Sequence, residues 1–100
     1  MIERTLLIKA RLGLHARAAA KLVRVANGFQ SQVMLRRLDG PAGAEVSADA
    51  KSILSVLMLA ASCGTELQAS AEGIDEEAAL NALARLFAEG FGETEPESSL

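Results

Sequence analysis

What a chain of this length can fold into is limited most by the order in which its hydrophobic periodicity changes. Residues 2–9, with Thr5-Leu6-Leu7-Ile8 between charged flanks, have the apolar and β-branched run of a strand. From His15 the spacing turns helical. Ala16, Ala19, Ala20, Val23 and Ala26 share one side, Lys21 and Arg24 lie opposite, and Asn27-Gly28 supplies a stop. Residues 30–37 alternate Val33 and Leu35 with polar neighbours. Asp39-Gly40-Pro41 and Gly43 are turn chemistry, and Glu45-Val46-Ser47 makes a third strand, so 31–47 form a hairpin with a long loop. Asp49 or Ala50 opens a second helical stretch over residues 51–61, which Gly64 ends. Residues 65–71 alternate Leu67 and Ala69 as a fourth strand. Asp75 reads as the N-cap of a third helix, with Glu76 and Glu77 suited to its positive end. The stripe Ala78, Ala79, Leu80, Leu83, Phe87 and Ala88 then runs up to Gly90. The order βαββαβα predicts an α+β open-faced sandwich: a four-stranded antiparallel sheet with three helices on one face.

The chain has 100 residues, 50% of them hydrophobic, enough for one modest core and too few for two domains with a cleft between them. Residues 91–100, FGETEPESSL, read as a frayed end. We set one domain at residues 1–92 and a flexible acidic tail at 93–100. The longest clean apolar run, residues 56–61, falls far short of the roughly 20 needed to span a membrane. The opening residues MIERTLLIKAR do not read as a secretion signal, and a soluble cytoplasmic protein is expected. One cysteine excludes an internal disulfide, and one Cys with one His leaves a zinc site built on those ligands out of reach. Cys63 reads as a small buried hydrophobe. Neither a metal nor a cofactor is expected.

Charge is unevenly spread. Residues 1–38 hold eight basic residues and one acid, a balance of +7, whereas residues 39–100 hold two basic residues and twelve acids, a balance of −10. Either two oppositely charged segments neutralise each other on folding, or a basic patch remains to attract an acidic partner or a phosphate. The overall −3 argues against a nucleic-acid partner, as does the lack of Trp and Tyr.

His15 is the single histidine, and it stands where the first helix should begin. A histidine there can be a mere cap or surface residue. It can also be a nucleophile towards phosphorus, because a helix N-terminus offers free N–H groups and partial positive charge to an anion. The N–H groups of Ala16, Arg17 and Ala18 would cradle phosphoryl oxygens, and the Arg17 guanidinium would clamp them with a planar fork of donors. Gly13 would let the backbone turn tightly just before.

Leu12-Gly13-Leu14-His15-Ala16-Arg17, running into an Ala-rich helix, resembles the active-site motif of the HPr phosphocarriers of the phosphoenolpyruvate-dependent sugar phosphotransferase system. Lys51-Ser52-Ile53-Leu54-Ser55-Val56-Leu57 resembles that family's regulatory serine motif, with Ser52 at the serine position. Gly64-Thr65-Glu66-Leu67 and Ala71-Glu72-Gly73 resemble its last strand and the turn that follows. The resemblance covers roughly residues 2–92. It implies that His15 takes a phosphoryl group from phosphorylated enzyme I, at the imidazole Nδ1, and passes it to an enzyme IIA-type acceptor. Arg17 would steady the oxygens. Such a protein is a carrier with a covalent intermediate and not a self-sufficient catalyst. It also suggests regulation by phosphorylation of Ser52 through a serine kinase or phosphorylase, with a plain N-cap or first-turn serine as the alternative. Three departures stand out, one of them an acidic tail with Glu93, Glu95 and Glu97 that reads as a solvated end. Ala18 takes the place of the family's usual proline, which predicts a retained site with a less rigid helix start. The loop at residues 38–45 is several residues longer than usual.

The second helix is apolar on nearly every side, so in a domain this small part of it should stay exposed as a partner site. The resemblance favours Leu54 and Leu57, beside His15 and Leu14. Arg17, Lys21, Arg24 and Lys51 would ring this platform and suit an acidic, partly apolar partner face. A phosphate on Ser52 would add roughly −2 charge there and repel such a partner without refolding. A monomer is the simplest state. Two other functions stay open: a regulatory relative in nitrogen or carbon signalling that uses the same His15 chemistry, and a protein-binding module without phosphoryl transfer.

Overall fold

The computed structural model describes residues 1–39, 43 and 45–92. Four strands, β1 (Ile2–Leu7), β2 (Gln32–Arg37), β3 (Val46–Asp49) and β4 (Glu66–Glu72), form one antiparallel sheet in the order β1-β4-β2-β3. Three helices connect or follow them: α1 (Ala16–Asn27), α2 (Ile53–Met58) and α3 (Glu76–Ala88). The βαββαβα order and the hairpin of β2 and β3 are as the periodicity predicts.

Register puts the apolar residues of each strand on one face. Leu6 stands opposite Leu67, while Leu35 stands between Ala69 and Ala48. Leu6, Leu67, Ala69, Leu35 and Ala48 are all buried, and the helices cover that face. Three alanines of α1, Ala18, Ala19 and Ala26, pack there with Leu22, so the helix axis can approach closely. The opposite face is polar. On it Arg36 hydrogen-bonds Gln68, its neighbour on β4, and pairs with Glu45 at 3.2 Å and Glu3 at 3.7 Å.

Several expectations need correction. The inward side of α1 is Ala18, Ala19, Leu22 and Ala26. Ala16 is exposed, and Ala20 and Val23 are half-buried. α2 is six residues long and does not run over 51–61. At its start the chain is still tied to the sheet, because Ala50 N–H donates to Val33 O, and the Asp49 carboxylate then turns the chain by accepting from Lys51 N–H. At its end Ala60 has φ +51, and Arg37 donates to the carbonyls of Leu59 and Ala60 at 2.9 Å each, which takes up groups a longer helix would use. Asp39 receives the other side of that guanidinium at 2.7 Å, which holds its carboxyl below the usual range.

Asp75 does occupy the N-cap position of α3, but its carboxylate does not cap that helix. It accepts instead from the backbone N–H groups of Gln30 and Ser31 at 2.9 Å and from the Ser31 hydroxyl, joining the start of α3 to the turn before β2. Ala78 and Ala88 are exposed, and the buried side of α3 is Ala79, Leu80, Leu83 and Phe87. The frayed end expected from residue 91 begins too early. Gly90–Gly92 forms a 3-10 turn, and Phe91 is fully buried against Phe87 with ring centroids 4.8 Å apart. Cys63 is exposed, with its thiol facing the Lys9 carbonyl at 3.8 Å. Gly40, Pro41, Ala42 and Ala44 of the long loop, and the tail 93–100, lie outside the described residues.

Two predictions follow from this framework of backbone contacts. Gly13 has φ +70, and a Cβ on it would stand 2.5 Å from Ala61 O and 2.8 Å from Ser62 Cα. Gly64 has φ +92 with open space around it. Gly13→Ala should therefore cost roughly 2–4 kcal/mol in chemical denaturation, from strain plus overlap, and Gly64→Ala about 1–2 from strain alone. Equal losses would show that the overlap at Gly13 is relieved for free. Asp75 supplies the second. Its hydrogen bond from Ser31, then that from Gln30 N–H, hold its pKa down. The stability this contributes is fully present above the unfolded carboxylate's pKa and is lost as pH falls through the lower folded value. Thermal melts should show the wild type losing its advantage over Asp75→Asn between about pH 5 and pH 2, with no such convergence above about pH 6. A gap between the two that is constant from pH 7 to pH 2 would refute this.

Candidate functional site: the start of α1 and the face of α2

Between β1 and α1 the chain is pinned rather than free. Gly13 N–H donates to Ala10 O at 3.0 Å, which closes a turn, and Leu14 N–H donates to Ala61 O at 2.9 Å. Gly13 and Leu14 are both buried. The segment after α2 is thus the wall against which the start of α1 is set.

His15 follows directly and is the N-cap of α1, with extended backbone (φ −81, ψ −177). Its carbonyl accepts the first helical bond, from Ala19 N–H at 2.8 Å. Its side chain turns back over the helix start, and Nδ1 accepts from Arg17 N–H at 3.2 Å. In a neutral ring, an accepting Nδ1 leaves the proton on Nε2. The Nδ1 lone pair therefore points at the positive end of α1, where the N–H groups of Ala16, Arg17 and Ala18 precede the first helical bond. The ring is half-buried, whereas Arg17, two residues on, is exposed. Ala18 is fully buried in the first turn and packs into the core while keeping its N–H.

Ser52 lies at the other helix start. It is the N-cap of α2, its hydroxyl accepts from Ser55 N–H at 3.3 Å, and its carbonyl accepts from Val56 N–H. α2 packs beside α1. Its inward residue is Val56, followed by Leu59. The exposed apolar residues are Ile53, Leu54 (67% exposed) and Met58 (70%). Leu54 is where the sequence reading puts it. Leu57 is half-buried against the core, and Leu14 is a core residue only 5% exposed, so neither presents a side chain as that reading requires. Ile53 and Met58 were missed, as was Leu12 in the turn before Gly13, which is 75% exposed. The spacing carried the signal. Once Val56 and Leu59 face inward, the i, i+4 pair Leu54 and Met58 must face out.

The basic residues divide into two groups. Arg36 and Arg37 pair with Glu3, Glu45 and Asp39, so part of the positive segment is neutralised. Lys51 and Lys21 are half-buried, and each ammonium group serves a backbone carbonyl: Lys51 that of Phe29 at 2.8 Å, Lys21 that of Phe91 at 2.7 Å. Arg17 and Arg24 are exposed on α1 with no ion pair among the described residues. The rim of the platform is therefore fully available at the two arginines and partly committed at the two lysines.

Comparison with known proteins shows the family. Residues 2–89 match the family described as the PTS HPr component phosphorylation site. The phosphocarrier protein HPr of Cupriavidus necator is 46% identical over 95 residues, 95% of this chain and 100% of that protein. The phosphocarrier protein NPr of Proteus mirabilis is 43% identical, covering 90% of this chain and 94% of its own. In fold, a crystal structure of HPr-C-His from Thermoanaerobacter tengcongensis superposes with a TM-score of 0.80 at 41% identity, covering 95% of this chain and 100% of that one. With the histidine at the helix start, the serine at the second helix start and a match along nearly its whole length, the chain belongs to the HPr phosphocarrier family of the phosphotransferase system.

Proposed function

We propose that His15 is the phosphoryl acceptor, through Nδ1, with phosphorylated enzyme I as donor and an enzyme IIA-type protein as the next acceptor. The observation that carries this reading is the Nδ1 lone pair aimed at the start of α1, 3.2 Å from Arg17 N–H. As Nδ1 bonds to phosphorus, the donor's bond to phosphorus breaks and the electron pair returns to the donor. The ring proton stays on Nε2. The hydrogen bond from Arg17 N–H is given up by Nδ1 and passes to a phosphoryl oxygen, alongside the N–H groups of Ala16 and Ala18. The Arg17 guanidinium then adds a charged pair of donors from the solvent side. Nothing in this step needs a general base, because the nucleophile is already unprotonated at the attacking atom. A cytoplasmic site of action fits such partners, and no described helix is long and apolar enough to cross a membrane.

The docking face would be Leu54 with Ile53 and Met58, flanked by Arg17 and Arg24. Apolar burial would supply the affinity, and the arginines would steer an acidic partner and set the on-rate. Ser52 borders this face. Phosphorylation there would cost α2 little, since a helix N-cap tolerates an anion, but it would set negative charge where an acidic partner must sit. A second reading is favoured by one observation: relatives similar along most of the chain include proteins called NPr as well as HPr. The same His15 chemistry would then serve a nitrogen-related branch, with a different enzyme I and acceptor and the same test.

Incubated with phosphoenolpyruvate and an active enzyme I, the protein should gain one acid-labile phosphoryl mass, and His15→Ala should gain none. No gain with an enzyme I that phosphorylates another carrier of this family would rule out the carrier reading. For Ser52, aspartate and asparagine cap helices as well as serine does. Ser52→Asp and Ser52→Asn should both melt within a few degrees of the wild type, while only Ser52→Asp slows transfer from enzyme I, by roughly tenfold. Equal rates for the two variants would remove the electrostatic switch.

A further inference from the structure

Folding cancels the uneven charge of the sequence only in part, because the two signs also end on opposite sides of the molecule. One face of the sheet lies under the helices, and the side chains on the other are exposed or half-buried. On that open face stand Glu3 of β1, Glu66 and Glu72 of β4 and Asp49 of β3, and Glu45 reaches it through its ion pair with Arg36. Five carboxylates there face the one guanidinium of Arg36. Glu66 and Glu72, at the two ends of β4, have no ion pair among the described residues. Two exposed leucines border Glu66. Leu7 stands opposite it, and Leu38 lines a groove with it. The far side of the molecule has the reverse chemistry. Ala18, Ala19, Leu22 and Ala26 face inward, so Arg17 and Arg24, at i and i+7, point outward from α1. Both are exposed and have no ion pair among the described residues. A helix with its side chains is about 10 Å across, so these arginines stand a helix diameter beyond the sheet and cannot reach the carboxylates on its far face. The two surfaces can meet only between molecules.

We propose that the protein self-associates head to tail, the open acidic sheet face of one copy docking on the outward side of α1, at Arg17 and Arg24, of the next. A second copy is the occupant because it brings what this face lacks. Its arginines supply cations to Glu66 and Glu72, and the aliphatic stem of an arginine suits the exposed Leu7 and Leu38 beside them. The contact joins two different surfaces, so it is heterologous and need not close into a ring. Four strands about 4.8 Å apart and about 20 Å long offer about 400 Å², half of what each partner buries in a stable complex. The association is therefore weak, roughly millimolar, and screened by salt. It sets the acidic sheet of one copy over Arg17 of another, where an acidic partner would otherwise bind. That consequence for transfer rests on the phosphocarrier reading given above, whereas the contact itself does not.

The test uses two double variants of the full chain. Glu66→Gln/Glu72→Gln removes the acidic half of the contact, and Arg17→Gln/Arg24→Gln the basic half. Backbone amide NMR spectra would be recorded at about 0.05 mM and about 2 mM protein, each at about 20 mM and about 500 mM salt. In the wild type the amides from Arg17 to Arg24 and those of β1 and β4 should all shift with concentration at low salt and stay fixed at high salt. Neither variant alone should show these shifts. When labelled Arg17→Gln/Arg24→Gln is mixed with unlabelled Glu66→Gln/Glu72→Gln, its β1 and β4 amides should shift and its α1 amides should not, because one complementary contact is restored. Wild-type spectra that do not depend on concentration at low salt would overturn the proposal. Shifts confined to one of the two surfaces, or a mixture that behaves like the separate variants, would assign a symmetric contact and also overturn it. A His15→Ala/Arg17→Gln/Arg24→Gln protein keeps the acidic sheet and lacks the acceptor imidazole. At about 2 mM and low salt it should slow transfer from phosphorylated enzyme I to dilute wild type about twofold, and adding Glu66→Gln/Glu72→Gln to it should remove the effect. Equal rates with the two additions would overturn the competition. Absence of any transfer would fall on the carrier reading instead, and the spectra would still decide the contact.

Discussion

The close approach of Gly13 to the peptide joining Ala61 and Ser62 is what the rest of the site depends on. No side chain fits between these backbones, since a Cβ on Gly13 would come within 2.5 Å of the Ala61 oxygen. The approach allows Leu14 N–H to bond that same oxygen and Leu14 to drop into the core. With Leu14 inside, the next residue must lie at the boundary between core and solvent, and that residue is His15. Its place as N-cap is therefore set by a contact with the chain beyond α2, not by helix propensity. The same contact brings the end of α2 to the start of α1.

α2 itself is an unlikely helix by length. Six residues cannot sustain a helix in water, because nucleation costs more than so few bonds return. Its ends are held from outside. Ser52 caps one end, and Arg37, steadied by Asp39, bonds the Leu59 and Ala60 carbonyls at the other. Its middle is held by Val56 in the core. A helix this short turns only one or two residues inward, so an apolar sequence necessarily leaves others in solvent. Leu54 and Met58 are exposed for this reason, and the exposure costs the fold nothing that a longer helix could recover. The exposed apolar surface and the structural economy have the same origin here. Ser52 is one of the three points that keep the helix in place.

Much of this was legible in the sequence because it is local. Strand alternation, the place of the Asn27-Gly28 stop and the histidine at a helix start depend on neighbours within a few residues, and the structure carries each of them, although Gly28 ends α1 with φ −77 and not in the left-handed conformation that its residue type suggests. The misreadings are where distant residues intervene. Asp75 has the right residue type for a cap, but Ser31 and Gln30, 44 and 45 positions away, present better donors. Phe91 sits in a polar stretch and is pulled inward by Phe87 and by the Lys21 bond to its carbonyl. The motif, read alone, places Leu14 and Leu57 on the partner face. The bond to Ala61 and the rotation of α2 set by Val56 turn one fully and the other partly towards the core. Lys21 and Lys51 were counted by charge alone. Their carbonyl partners, 70 and 22 residues away, leave no trace in composition.

A site of one imidazole, one arginine and a helix start is sparse for phosphoryl chemistry, and the sparseness suits a carrier. Deep electrostatic stabilisation of a phosphoryl group needs several cations in a water-excluded pocket, where each interaction is strong. Here Arg17 is exposed and the helix start opens to solvent, so each contact with a phosphoryl oxygen is weakened by water and salt. A group held that way is restrained in direction but not trapped in a well. The same few contacts must serve both arrival and departure, since any interaction that stabilises the phosphorylated state alone slows its discharge. If His15 is the acceptor as proposed, the transition state would need more than this chain offers, and the donor or acceptor would have to supply it by covering the site. On the proposal that His15 carries the group, closure by a partner would exclude water only for the moment of transfer and would strengthen the same Arg17 and N–H contacts when they are needed.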